Sequence, residues 1–564
     1  MNQNQNPMDE RRLLLAVALS LLALTGYRLL FPQAPRQTPP TPRPPMASAS
    51  TQTTAPEASP SPSPSPPPAP ETSLPREADE RERRVEVVGR DMDLAFTNRG
   101  ARLVSWKLHR FTDARGQPEE MVQVAPEGPR PLDVETGDPD VDRRLREGLY
   151  RASSDALRIP ESGEALVLRF SDGVVAAEKR LDFPGAGGLI RVAVTVRRGG
   201  QELPKRILWG PGIGNPTPAE MEVRGYVPPQ VVALVDGRLE HLPPSKLVEP
   251  RTLLGVAWVG VESQYFAAIL IPPGGSGDAQ ARAVEFPAHD DAKPQGGPVA
   301  ALELGSSGEA ALFFVGAKDH RELGRLGHHL ERVVPVGDWI GPLVIALMSL
   351  LQWIHGHVGN YGWSIVVLTV LINLAMGPLR HYSIKNGMRM AKLAPEMKVI
   401  QDRYKKLPAL DPRRQEMQKE IAELYARHGM SMGTQMTVGC LPLLLTMPFL
   451  IALYTVLQVS VELRGAPFLW IPDLSHKDPL FVMPLLMGAS MFVMQKMTPS
   501  TMDPAQQRIM MIMPLMFMVM FFAAPAGLNI YWFVSNLCSI VQQGITLRTL
   551  RASEAGPQKQ RRPR

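Results

Sequence analysis

The sequence predicts an α-helical membrane bundle of six transmembrane helices, five of them forming the core, joined to an all-β sandwich domain. Three observations predict it. Long apolar runs stand at the N-terminus and recur through the last third of the chain. Between them, short segments alternate apolar and polar residues and are broken by Gly and Pro, the signature of half-buried strands. A mean hydropathy of −0.09 is low for a pure bundle, so the spans share the 564 residues with a large polar part.

The chain opens with "DERRLLLAVALSLLALTGYRLLFPQ", where Arg11 and Arg12 precede an apolar run from Leu13 to Phe31. That run is long enough to cross a bilayer, with Arg28 snorkelling at the far end. No small-x-small cleavage site and no lipobox cysteine follows, which predicts an uncleaved anchor over residues 1–31 with a cytoplasmic N-terminus. Residues 32–84 read as a linker, because 16 prolines fall within positions 32–75 and so dense a proline content stays extended.

Residues 85–335 form the β domain. "DMDLAFTN" places Met92, Leu94 and Phe96 on one face, and "LIRVAVTVRRGG" does the same with Ile190, Val192, Val194 and Val196 before a glycine turn. Because it follows the first span, this domain lies outside the inner membrane. Residues 336–360, "GDWIGPLVIALMSLLQWIHGHVGN" and its neighbours, suit an amphipathic helix lying in the interface; a spanning helix is the rival reading.

Five spans follow within 361–547, at about 361–379, 438–459, 479–495, 509–524 and 528–547. Short-loop charge sets their direction. Residues 380–428 hold 12 Lys/Arg against 6 Asp/Glu, and the tail 548–564 is basic, so that loop and both termini are cytoplasmic. Within the loop, Met390, Leu393, Met397, Ile400 and Tyr404 follow a 3-4-3-4 seam, "LPALDP" breaks it, and Met417, Ile421 and Leu424 resume it. This predicts a cytoplasmic helical hairpin over 380–428, with a solvated connector as the bland alternative.

A net charge of +6 and a pI of about 9.2 allow contact with a ribosome, nucleic acid or anionic lipid without choosing among them. The only cysteines, Cys440 and Cys538, fall in apolar segments and make no disulfide framework or metal spacing. No GxSxG, HExxH or Walker loop occurs, which argues against an enzyme and against a cofactor. The informative residues are polar groups inside spans: Thr369 and Asn373, spaced i,i+4, then Thr446, Ser490, Asn529, Tyr531, Ser535 and Asn536. Each alone reads as a helix-packing residue; together they would line one polar cavity. Residues 483–520 carry 12 of the 28 methionines, whose unbranched chains repack against varied apolar partners or simply face lipid.

Two stretches carry a resemblance: "GCLPLLLTMPFLIALYTVLQVSVELRGAPFLWIPDLSHKDPLFVMPLLMGASMFVMQKM" and "DPAQQRIMMIMPLMFMVMFFAAPAGLNIYWFVSNLCSIVQQ". With "NRGARLVSWKL", "ESQYFAAILIP" and "FVGAKDHREL" in the β region, the chain resembles the YidC family of bacterial membrane protein insertases. The resemblance implies an inner-membrane insertase and chaperone with residues 32–335 periplasmic. It implies a hydrophilic groove open to cytoplasm and lipid but closed to the periplasm. The implied partners are nascent membrane proteins, Sec translocon components, the ribosome through the basic tail and hairpin, and the phospholipid bilayer.

The implied groove residues are Thr369, Asn373, Arg380, Thr446, Ser490, Tyr531, Ser535 and Asn536. The family's groove arginine aligns, through "MGPL", with Asn373, so its fixed charge is missing at that depth. Arg380, seven residues on, is either a displaced charge or an interfacial anchor. The stretch 428–439 is longer than the family pattern. A secondary transporter or channel with a periplasmic binding domain is the alternative; it would show an internal repeat and a paired midplane ionisable site, and neither is visible. A membrane-anchored sugar-binding protein would leave the five-span bundle without a purpose.

Overall fold

The computed structural model describes residues 74–555 except 114–115, 124–127, 186–187, 217, 222–225, 287–294, 306–307, 338, 405–410, 412, 430–446 and 499–503. The N-terminal anchor, the proline-rich segment up to residue 73, Cys440, Thr446, positions 430–439 of the long stretch and tail residues 556–564 lie outside the described residues. Two units divide the chain: one contains described residues 395–429, the other those from 74 to 394 and from 447 onward.

The β domain is a sandwich of two sheets. One has five strands in the order Pro118–Glu120, Arg102–Thr112, Met92–Thr97, Arg84–Val88 and Ala156–Arg158. The other has fourteen strands among the described residues, each antiparallel to its neighbours, with Phe266–Ile271, Ala311–Ala317 and Ile190–Arg198 at its centre. The expected alternation is present: Ile190, Val192, Val194 and Val196 are buried, and Gly199 and Gly200, both at positive φ, turn the chain into Gln201–Glu202. Leu94 and Phe96 enter the core, with Met92 packed at its margin. The sheets meet through aromatic rings: Trp106 of the smaller sheet lies 6.2 Å from Trp209 and 5.8 Å from Phe313 of the larger. The β domain begins earlier than residue 85: Leu74 N–H donates to the Gly173 carbonyl and Glu77 pairs with Ser171, so residues from Leu74 on join this domain and not the linker expected over 32–84.

The larger sheet is buried on its other face too. Val232, Leu234, Trp258, Ile269, Ile271 and Phe314 join a second apolar cluster that also holds residues of the helical region. Helices are numbered here in chain order: α1 Pro139–Glu147, α2 His320–Leu326, α3 Gly341–Val358, α4 Tyr361–Ala375, α5 Gly377–Tyr404, α6 Arg413–Arg427, α7 Met447–Val459, α8 Val482–Met497, α9 Pro504–Phe521 and α10 Ala526–Ala555. Val344, Leu347, Leu351 and Ile354 of α3 belong to the second cluster, while Trp353 on the opposite side is 60% exposed. Gly359 at φ 72° ends α3, and the Asn360 side chain caps α4 by accepting from the Trp363 N–H.

Among the described helices α3 alone is long and apolar enough to cross a membrane, and α4 with α5 passes the same test as a pair bent by 56°. The bend sits at Met376, where Gly377 and the N–H-less Pro378 interrupt the ladder. α7, α8 and the apolar part of α9 are shorter. α10 runs on to Ala555, so the first part of the basic tail is helical.

In the other unit, the chain from Pro395 to Tyr404 packs antiparallel on α6. Met397, Ile400, Ile421 and Leu424 are buried as the seam spacing predicts, and Tyr425 joins them, its hydroxyl 3.1 Å from Met397 Sδ. Tyr404 donates to Glu420 at 2.8 Å across the hairpin.

Candidate functional site

α10 packs against both α4 and α8, and the predicted polar residues fall along those two seams. On the α4 side they form a row. Thr369 bonds back to the Ile365 carbonyl at 2.6 Å, and Asn373 Nδ2 donates to the Thr369 carbonyl at 2.8 Å, so the i,i+4 pair shares one face. Across the seam, Ser535 Oγ donates to Asn373 Oδ1 at 3.4 Å, and the buried Tyr531 lies one helical turn before Ser535 on the same face of α10.

One turn along α10, Ser539 Oγ donates to the Ser535 carbonyl at 2.7 Å and accepts from Arg380 Nη1. The break at Met376 interrupts the backbone ladder of α4, and Gln542 Nε2 supplies a donor to the Asn373 carbonyl at 3.0 Å. The row therefore runs from Thr369 through Asn373, Ser535 and Ser539 to Arg380. On the α8 side, Asn536 Nδ2 donates to Ser490 Oγ at 3.0 Å, and Ser490 donates to the Met487 carbonyl at 2.7 Å.

Burial grades along the row. Thr369 is 0% exposed and Asn373 3%, whereas Ser535, Ser539, Gln542 and Arg380 are half-buried. In this conformation the Asn373 side chain is satisfied by protein groups, and the polar surface opens toward Arg380. That guanidinium meets a hydroxyl, not a carboxylate, so its charge is not neutralised by its hydrogen-bond partner. Gln542 Oε1 is buried without a partner among the described residues.

Of the residues expected from sequence, the structure brings together Thr369, Asn373, Arg380, Tyr531 and Ser535 in one row and Ser490 with Asn536 in another. Thr446 lies outside the described residues. Asn529 is structural: its Nδ2 donates to the Phe521 carbonyl at 3.3 Å and ties α10 to the end of α9. Sequence reasoning missed Ser539 and Gln542. Their positions, four and seven after Ser535, place all three on one helical face, and that spacing is the signal that would have found them.

Beside the rows lies an apolar surface. Ile512, Leu515, Met516 and Val519 of α9 are 57–62% exposed, and Leu485 and Val493 of α8 are also exposed. A face so large and apolar needs lipid or another helix to cover it.

A profile of the family described as 60Kd inner membrane protein matches residues 353–553, and one described as YidC periplasmic domain matches residues 84–350. A membrane protein insertase YidC of Geobacter metallireducens is 32% identical over 560 residues, 97% of this chain and 100% of that one. Its counterpart in Burkholderia cenocepacia is 40% identical over 296 residues, 52% of this chain and 51% of that one. A crystal structure of an active YidC insertase with its first transmembrane domain resolved is 16% identical, covers 84% of this chain and 95% of that one, and has a TM-score of 0.34. By the near-complete match to the Geobacter protein and the two profiles across both halves, the chain belongs to the YidC family of membrane protein insertases.

Proposed function

We propose that this protein inserts and folds other membrane proteins, and that the row ending at Arg380 is where it receives their polar segments. It acts alone on small substrates and with Sec translocon components on larger ones. Residues 32–335 are periplasmic and both termini cytoplasmic. α3 lies in the outer interface, its exposed Trp353 at the level where indole rings settle. The hairpin and basic tail meet the ribosome. The work is physical rather than enzymatic: moving a polar group into hydrocarbon costs several kcal/mol, roughly 4–8 without a hydrogen-bonding partner. A surface of hydroxyls, amides and one guanidinium lowers that cost, and the substrate's own apolar burial drives insertion without a nucleotide.

The observation that carries this reading is the graded row itself. It is closed and internally bonded at Thr369 and Asn373, and half-open with an available cation at Arg380. The short helices support it. α8 has 16 residues, about 24 Å of helix against a hydrocarbon core of about 30 Å, so the apolar path beside the row is shorter than the surrounding bilayer. A transporter would place paired ionisable groups at the midplane, and the row holds one charge at one end.

The test is selective. In cells depleted of their own insertase, Arg380→Ala slows insertion of substrates with acidic translocated tails and spares those with neutral tails. Asn373→Leu slows both, because Ser535 loses its acceptor and the row is cut. Equal loss for acidic and neutral tails in Arg380→Ala would reduce that arginine to an interfacial anchor.

A further inference from the structure

Where the β domain meets the helical region there is an open pocket of about 470 Å³, room for about fifteen waters. Its walls come from three places: the end of the strand Arg102–Thr112, the junction of α3 and α4 at His355 and Tyr361, and the chain after α7 from Val461 to Pro467. Those walls are tied to one another. Asn360 Nδ2 donates to the Pro467 carbonyl at 2.9 Å, and Gln352 Nε2 donates to Glu462 Oε1 at 2.7 Å. The His355 and Tyr361 rings stack with centres 3.7 Å apart.

Glu462 is the acid of this pocket. Among the described residues its carboxylate makes no ion pair, and Gln352 is its one side-chain donor. Burial raises the carboxyl above its ordinary range, and the hydrogen bonds it accepts, together with Arg110, offset only part of that. A cation is wanted beside it. Arg110 stands at the rim with its side chain exposed, and among the described residues only its Nη1 is hydrogen-bonded, to Glu322 at 3.0 Å. Acceptor and donor for a zwitterion thus line one cavity. The residues that flank the lining positions in the chain are apolar and exposed: Val358 before Gly359, Trp363 after Tyr361 and Leu469 after Pro467. Trp363 packs edge-on against Phe468, ring centres 5.4 Å apart. A polar pocket with an aromatic and apolar collar matches the division of a phospholipid into head group and acyl chains.

We propose that this pocket holds the head group of an amine-bearing phospholipid, its primary ammonium on Glu462, its phosphate toward Arg110 and its acyl chains along the collar. That occupant follows from the reading of α3 as lying in the outer interface, and its binding does not require insertion activity. A primary ammonium brings N–H donors to the carboxylate, whereas a choline head group carries the same charge and has none.

Native mass spectrometry tests this on the full chain, purified in detergent and given equal amounts of phosphatidylethanolamine and phosphatidylcholine with the same acyl chains. The wild type retains the ethanolamine lipid over the choline lipid by at least about tenfold, the size of one charge-assisted hydrogen bond. Glu462→Gln keeps the side-chain shape and brings the two lipids level. Thr112→Trp, at an exposed position of the lining, fills the mouth and also brings them level; it decides the matter should Glu462→Gln fail to fold. Equal retention of the two lipids by the wild type, or an undiminished ethanolamine preference in either folded variant, overturns the proposal. Displacement of the retained lipid by an equal concentration of glycerophosphoethanolamine overturns it too, since the collar would then contribute nothing. A chain that shows the preference but inserts no substrate counts against the insertase reading alone.

Discussion

Lys179 is a cation inside the sandwich, 2% exposed, with Nζ donating to the carbonyls of Ala101 at 2.7 Å and Leu132 at 2.8 Å. Both carbonyls belong to non-glycine residues at positive φ, 47° and 64°, conformations that side chains rarely adopt without support. Burial pulls the ammonium down to about 8, only partly offset by the charge of Asp133. The linkage sign follows. Between about 8 and the ordinary 10.5 the unfolded chain holds a proton that the folded one has released, so folding stability rises with pH across that window. Urea unfolding of residues 74–335, followed by tryptophan fluorescence, should show that rise. Lys179→Met should remove it, and an identical slope in both proteins would contradict the assignment. Nothing in the sequence around "AAEKRLDF" announces a buried lysine, because its partners come from distant loops. The polar residues of the spans were legible for the opposite reason: in an apolar run each amide or hydroxyl stands out, and helical spacing says which of them share a face.

Legibility of the elements depended on how many faces each one buries. Ile190–Arg198 has one face in the core and alternates as a half-buried strand should. Phe266–Ile271, "FAAILI", is buried at every position because the larger sheet is covered on both sides, and a continuous apolar run has no period to read. The pairing of that strand with Arg251–Glu262 is close. A Cβ added at Gly260 would lie 2.1 Å from the Ala268 carbonyl oxygen, where neither backbone can yield. Gly260→Ala should therefore destabilise residues 74–335 by about 1–3 kcal/mol, seen as a lower urea midpoint with an unchanged slope. A midpoint equal to the wild type would mean that the two strands can part. Among the helices, the hairpin seam was legible from spacing alone. The break at Met376 falls inside the span read as unbroken over 361–379; Gly377 and Pro378 stand there, but the 56° bend is a matter of packing.

At the scale of the molecule, the sandwich core is built almost wholly from the β domain's own residues, with Val461 the one outside contributor among the buried members of that cluster. Residues 74–335 expressed alone should therefore fold cooperatively, and a molten fragment without a sharp transition would show that the core needs the helical region. The second cluster has the opposite character: strands, α3 and helices of the bundle share it, and no window of sequence contains that arrangement. Apolar runs and short-loop charge supplied the layout of spans, whereas the polar row emerged only when α4 and α10 were brought side by side.

The central claim is insertion through this bundle, and reconstitution tests it most directly. The full chain is placed in phospholipid vesicles without nucleotide, a small membrane protein with a short acidic translocated tail is added, and the protease-protected fragment is measured. The account predicts a protected yield well above that of protein-free vesicles, falling toward the protein-free level with Arg380→Ala. A yield equal to that of protein-free vesicles, from a chain that is folded and correctly oriented, would contradict it.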